Sequence, residues 1–261
     1  MIPTITRELI AACGQPGCPV CRLVEGSVAG LLRSFFYEKV NDREVRVRLR
    51  ASLGFCSEHA RQILEMDLGD ALGSAIVYHD ILTNILRNFP TADEKAVNET
   101  GLASLLRRTA HGAAAGVTRL VRALTPQQPC PVCTESERAN QAYVVELAAG
   151  LKDEALSSAL AGSDGLCFLH LRQVAGQVKD EGVFTFLVEN HRARLTALNE
   201  ELAEFIRKND YRFRSERFGA ESDSWRRALE WASAAARWRG ELNSGSAYQE
   251  RSQNKGGTTG V

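Results

Sequence analysis

Cys18-Pro-Val-Cys21 and Gly54-Phe-Cys56-Ser-Glu-His59 are followed, in the same order, by Cys130-Pro-Val-Cys133 and Gly165-Leu-Cys167-Phe-Leu-His170. An offset of 112 residues lays Thr6–Cys21 on Thr118–Cys133 with eight of sixteen positions identical. An offset of 111 then lays Asp42 on Asp153, Gly54 on Gly165, and Cys56, His59, Arg61 and Gln62 on Cys167, His170, Arg172 and Gln173. Self-similarity of this kind marks a duplicated unit. The expected organisation is a first repeat over 1–95, a connecting segment over 96–111 and a second repeat over 112–208. A C-terminal helical extension over 209–240 and a disordered tail over 241–261 follow.

The periodicity around these motifs is helical. Val28, Leu31, Leu32, Phe35 and Phe36 share one helix face; Leu72, Ile76, His79, Leu82 and Leu86 share another. Phe184, Leu187, Val188, His191, Leu195, Leu198, Leu202 and Phe205 form a long stripe that predicts a helix over 183–207. No segment alternates with period two between turn signals, so the fold class is all-α. It is expected as a tandem duplication of a helical unit, each copy stapled by its own Cys3His metal site.

The ligand chemistry follows from residue type and spacing. Two cysteines three apart in a proline-restricted turn aim both sulfurs at one centre, and Cys-x-x-His at a helix start places sulfur and imidazole on one face. The expected quartets are Cys18, Cys21, Cys56 and His59, and Cys130, Cys133, Cys167 and His170. Four protein ligands close a coordination sphere, which is the structural pattern of Zn²⁺, here two ions per chain. Two other readings of the same residues are a [4Fe–4S] cluster with one histidine ligand and a metal-free thiol redox pair. The bland reading, buried cysteines acting as small hydrophobes, leaves the repeated histidines unexplained. Gly54 and Gly165 read as positions where a close approach to the metal excludes a Cβ. Arg61-Gln62 and Arg172-Gln173 read either as donors to the ligand sulfurs or as solvated helix face. Cys13 has Thr125 as its counterpart and reads as a spare, partly buried thiol or as a fifth thiol near the first site. His79 and His191 read as core histidines with satisfied hydrogen bonds.

Composition bounds the rest. The 261 residues are 44% hydrophobic and 25% charged, with Lys+Arg and Asp+Glu both 32. Zero net charge excludes a polycationic nucleic-acid binder at whole-chain level. No apolar run reaches the ~18 residues of a membrane span, and the N-terminus lacks signal-peptide character. The expected location is therefore the cytoplasm, where an odd count of seven cysteines fits ligation better than disulfides. Between Arg207 and Arg239 aromatics interleave with nine Lys/Arg against five Asp/Glu. Such a segment can stack single-stranded nucleic acid. The favoured reading is a helix over 224–239 docking on its own domain through Ala228, Trp231, Ala232, Ala235 and Trp238. No nucleophile elbow, phosphate loop or His-Glu-x-x-His is present, so no catalytic residue is assigned and a protein-interaction role is expected.

The chain resembles a bacterial family of unknown function that pairs Cys-Pro-x-Cys with Gly-Phe-Cys-x-x-His. Its Glu-Phe-x-x-Lys-x-Asp-Tyr-Arg-like stretch, followed by Asp-Ser-Trp, corresponds here to Glu204–Arg212 and Asp223-Ser-Trp225. The match covers most of residues 6–230, with Gly165-Leu-Cys167 departing from Gly-Phe-Cys. The resemblance implies a bacterial origin and metal sites, and carries no assigned reaction.

Overall fold

The structure is a computed structural model describing residues 4–65, 70–90, 111–213 and 215–233, with 111–115 as backbone. Among the described residues every regular element is helical. In chain order these are α1 (Thr4–Cys13), α2 (Pro19–Ser34), α3 (Arg43–Ala51), α4 (Ser57–Glu65) and α5 (Ala71–Asn88). They continue with α6 (His111–Ala123), α7 (Pro131–Gly150), α8 (Glu154–Gly162), α9 (Phe168–Gln177), α10 (Glu181–Asn209) and α11 (Ser224–Ser233). The connecting segment 96–111, but for the backbone of its last residue, and the tail 241–261 lie outside the described residues. So do Ala235, Trp238 and Arg239.

Helix starts are set by local chemistry. Asp42 and Asp153, matched by the 111-residue offset, both cap helices. The Asp42 carboxylate accepts the Val45 N–H at 2.9 Å, and Asp153 accepts those of Ala155 and Leu156 at 2.8 and 3.4 Å. Asp70 and Asp180 do the same for α5 and α10. Such caps satisfy amides that have no partner within the helix, each contributing ~1 kcal/mol.

The chain forms two compact units, Met1–Gly26 with Arg138–Val261, and Ser27–Glu137. These cut across the segments 1–95 and 112–208 read from the sequence, because residues 138–208 fall with residues 1–26. Each Cys-Pro-Val-Cys turn opens a long helix, α2 or α7, which begins in one unit and ends in the other.

In the first unit Leu9, Val20, Val144, Leu147, Leu156, Leu160, Leu166, Val174 and Leu187 form the core. In the second, Phe35 meets Phe36 and Phe55 edge-on at 4.8 and 5.3 Å, beside buried Leu49, Val77 and Ile81. Asp80 of α5 ties down α3 through Arg46 and Arg50, at 3.2 and 2.6 Å.

The expected inner face of α2 is correct: Val28, Leu32 and Phe35 are buried. The expected stripe on α5 is not. Leu72, Leu82 and Leu86 are 68, 55 and 69% exposed and His79 is exposed, while Gly73, Val77 and Ile81 face inward. This helix carries apolar residues on two faces, so periodicity alone admits two registers. Its Gly73 permits the close packing, since a Cβ there would lie 3.1 Å from Val40. α10 exceeds the expected helix by two residues at each end and buries Leu187, His191 and Leu198, leaving Phe184 and Val188 half exposed.

Candidate metal centre

All four motifs share one local structure. Cys18, Cys56, Cys130 and Cys167 each immediately precede a helix and lend it their carbonyl. The acceptances are Arg22 N–H to Cys18 at 3.2 Å, Ala60 to Cys56 at 2.9 Å, Thr134 to Cys130 at 3.2 Å and Leu171 to Cys167 at 2.8 Å. These cysteines are N-cap residues, and the second ligand of each motif (Cys21, His59, Cys133 or His170) sits three residues on, at N3. N-cap and N3 side chains meet in front of the helix, the geometry used by a capping box. Pro19 and Pro131 occupy the first helical position, where a missing N–H costs nothing. Each pair thus stands at the positive end of a helix dipole, which favours thiolate over thiol.

The pairs combine across the repeats, which corrects the expected quartets. Cys18 and Cys21 meet Cys167 and His170; Cys56 and His59 meet Cys130 and Cys133. The first set lies wholly within the unit containing α1 and α10, the second within Ser27–Glu137. The physical reason is that α2 and α7 each leave the unit in which their cysteines stand.

In the first quartet His170 Nδ1 lies 3.4, 3.3 and 3.2 Å from the sulfurs of Cys18, Cys21 and Cys167, and Cys21 Sγ lies 3.7 Å from Cys167 Sγ. In the second, His59 Nδ1 lies 3.1, 3.7 and 3.5 Å from Cys56, Cys130 and Cys133, with Cys56 and Cys133 sulfurs 3.5 Å apart. Ligands at tetrahedral angles on one ion, with bonds of about 2.3 Å to sulfur and 2.0–2.1 Å to nitrogen, stand about 3.8 Å (S to S) and 3.6 Å (S to N) apart. Both donor sets fit a single ion of that size.

Their surroundings differ. The first quartet is fully buried, whereas Cys56 and Cys133 are half-buried. His170 Nε2 is 2.9 Å from Asn140 Oδ1, an acceptor that fixes the proton on Nε2 and leaves the Nδ1 lone pair for an ion. Asn140 carries no repeat signal, since the residue 112 positions earlier is Val28.

Crowding the sulfurs has an electrostatic consequence. Burial opposes the Cys18 thiolate, yet hydrogen bonds from Cys167 and Cys21 and the nearby His170 hold its pKa well below the ordinary value. The same contacts with Cys167 and Cys18 drive Cys21 far up. Burial and Cys56 push Cys133 to about 12. Although burial opposes its charge, the Cys167 and Cys18 sulfurs raise His170 to about 9. Three adjacent thiols cannot all ionise by themselves; a divalent cation removes that conflict.

Two side chains hold the backbone just before the cap cysteines. His191 is buried; its Nε2 accepts the Leu166 N–H at 3.0 Å, and its Nδ1–H donates to Leu187 O at 2.8 Å. It is the satisfied core histidine expected from the sequence. Tyr78 fills the corresponding role in the other unit, its hydroxyl hydrogen-bonded to the Phe55 backbone. Gly54 and Gly165 adopt left-handed φ values of +100° and +84°. A Cβ there would lie 3.1 Å from the Tyr78 ring or from Arg194 Cδ. The two glycines are therefore required by backbone conformation and by these neighbours, not by the expected close approach to a metal. His191→Ala leaves the buried Leu166 N–H unpaired and should cost about 1–3 kcal/mol, read from the urea midpoint. Tyr78→Phe should cost about 1 kcal/mol, because only a hydroxyl is lost.

Arg61 pairs with Glu58 and Glu65, and Gln62 with Glu58, along the surface of α4; Arg172 is exposed. Cys13 is buried near the first quartet, in the same core cluster as Cys18 and Cys21. Desolvation raises its thiol to about 11, and the Cys18 sulfur adds to the rise. In the described C-terminal segment Arg207, Lys208 and Arg227 are engaged internally. Lys208 binds buried Glu221 at 2.8 Å, Arg207 binds Glu204 at 2.7 Å, and Arg227 binds Glu201 and Asp223. Trp231 packs edge-on against Phe168 at 5.9 Å and lies 6.1 Å from His191. The described part of α11 thus docks on its own unit.

No helix among the described residues is long and apolar enough to cross a membrane. No solved structure matches the chain. A 71-residue stretch is 38% identical to an uncharacterized 23.9 kDa protein encoded in the xynA 3′ region of Caldicellulosiruptor sp. (strain Rt8B.4). That match covers 27% of this chain and 34% of the relative, about a third of its length. The model of a family of unknown function, DUF6062, matches residues 10–237, a span containing all eight cysteines and histidines of the two quartets and the docked C-terminal segment, and the chain belongs to that family.

Proposed function

We propose that this is a non-catalytic zinc protein, a helical scaffold in which two Cys3His ions replace part of the hydrophobic core and present its surfaces to a protein partner. The observation that carries the reading is the pair of quartets, each built from two helix N-termini with the spacing of ligands on one ion. Three thiolates and a neutral imidazole fill a tetrahedral sphere, leaving no open position for a substrate. A four-iron cluster would place its ligands on four separate irons, further apart than these. The same order of five helices in α1–α5 and α6–α10, with equivalent caps at Asp42 and Asp153, supports descent from one duplicated unit. Thiolate ligation and the absence of disulfides among the seven cysteines support a reducing, cytoplasmic location.

The chain purified without added metal or chelator should be colourless and carry about two zinc ions, one for each closed quartet. Iron with inorganic sulfide in the same elemental analysis overturns the zinc assignment in favour of an electron-transfer protein. Protein with neither metal and with readily oxidised thiols supports a redox role instead.

A further inference from the structure

Cys18, Cys21 and Cys167 of the first quartet line a pocket of about 170 Å³ together with Arg227, Glu230 and Trp231 of α11. We propose that α11 is a cover over this sulfur face, and that its docking governs the access of soft metal ions and thiol-reactive electrophiles to Cys18 and Cys21. The proposal rests on the zinc reading for what the cover protects, and on geometry alone for the covering itself.

α11 has ten residues, too few to be a stable helix in isolation, so its order derives from what it docks against. The docking contacts include ion pairs and ring packing. Arg227 reaches Glu201 on α10 and the Ala220 carbonyl, while Glu221, just ahead of the helix, is held by Lys208. Trp231 rests on Phe168 and His191. Those last two flank the ligand loop. Phe168 directly follows Cys167, and His191 holds the N–H of Leu166, which directly precedes it. Undocking the helix therefore opens the pocket and removes support from both sides of Cys167. By reciprocity, an ion that fixes Cys167 favours the docked helix. A ten-residue helix whose order derives from docking opens locally at lower free energy than the core beneath it.

The test is iodoacetamide labelling of the full chain, followed cysteine by cysteine by mass spectrometry, in the native protein, Trp231→Ala and Arg227→Ala. Metal content is measured on the same samples. Cys56 and Cys133, half-buried in the other unit, are the internal control. Cys18 and Cys21 should label about tenfold faster in both variants, the effect of ~1.4 kcal/mol of lost docking, with Cys56 and Cys133 unchanged. Equal labelling of Cys18 and Cys21 in all three proteins overturns the proposal. So does a uniform acceleration at all four cysteines, which would be general loosening. If none of the samples holds metal, the zinc reading fails, and the labelling comparison still decides whether α11 shields the thiols.

Discussion

Cys18→Ser and Cys167→Ser should give the same result: one metal ion lost per chain, and hydrogen-exchange protection lost over the described residues of 4–26 and 138–233 while the described residues of 27–137 stay protected. Cys56→Ser and Cys130→Ser should give the complementary pattern. The expectation follows from the quartets as they stand, Cys18 with Cys167 and Cys56 with Cys130. Structural zinc contributes an apparent binding free energy on the order of 10 kcal/mol, comparable to the whole stability of a domain at 5–15 kcal/mol. Removing one of four ligands therefore unfolds a unit rather than loosening it. Double variants make the pairing decisive. Cys18→Ser with Cys167→Ser should still carry one ion, because both changes strike one site. Cys18→Ser with Cys56→Ser should carry none. Quartets closed within each repeat would reverse these two metal counts, so elemental analysis of the two doubles is sufficient.

That reversal also shows where sequence reasoning ends. The eight ligands were legible because their residue types and spacings recur at offsets of 112 and 111. Which Cys-x-x-His joins which Cys-Pro-Val-Cys was not, because the two copies of each motif are chemically equivalent. Only the path of α2 and α7 out of their own unit separates the alternatives. Helix identity was equally legible, and α10 came out within two residues of its expected span at each end because its apolar stripe is continuous from Phe184 to Phe205. The face of α5 was misread because Leu72, Leu82 and Leu86 form as regular a stripe as Gly73, Val77 and Ile81, and a glycine at a packing position carries no hydrophobic signal. Asn140 and Tyr78 could not be found from the repeat. Their counterparts, Val28 and His191, differ in chemistry or lie two residues out of register, and positions held by hydrogen bonding to backbone or ring tolerate such exchange. The motif from Glu204 to Asp223 proves to be a set of internal ion pairs, Glu204 with Arg207 and Lys208 with Glu221, that turns the chain back from α10 towards α11.

Acidification should strip both sites steeply, and the slope identifies the ligands. In the unfolded chain a cysteine has a pKa near 8.5 and a histidine near 6.5, so at pH 7 three thiols per site are mainly protonated. Coordination requires all three as thiolates, so the metal-bound folded state holds about three fewer protons per site than the unfolded chain. Stability then rises with pH wherever the unfolded state binds more protons. Each unit of acidification below about 8.5 should weaken each site by about a thousandfold, ~4 kcal/mol, and more once the histidine also protonates below about 6.5. Burial lowers the pKa of His191, which acts in the same direction: its contribution is complete above about 6.5 and is lost as pH falls through its lower folded value. Chelator competition between pH 6 and 8 measures the proton count directly. A slope near three protons per ion is the expected result. A slope near one would mean carboxylate or histidine ligands in place of the sulfurs, and the Cys3His assignment would fall with it.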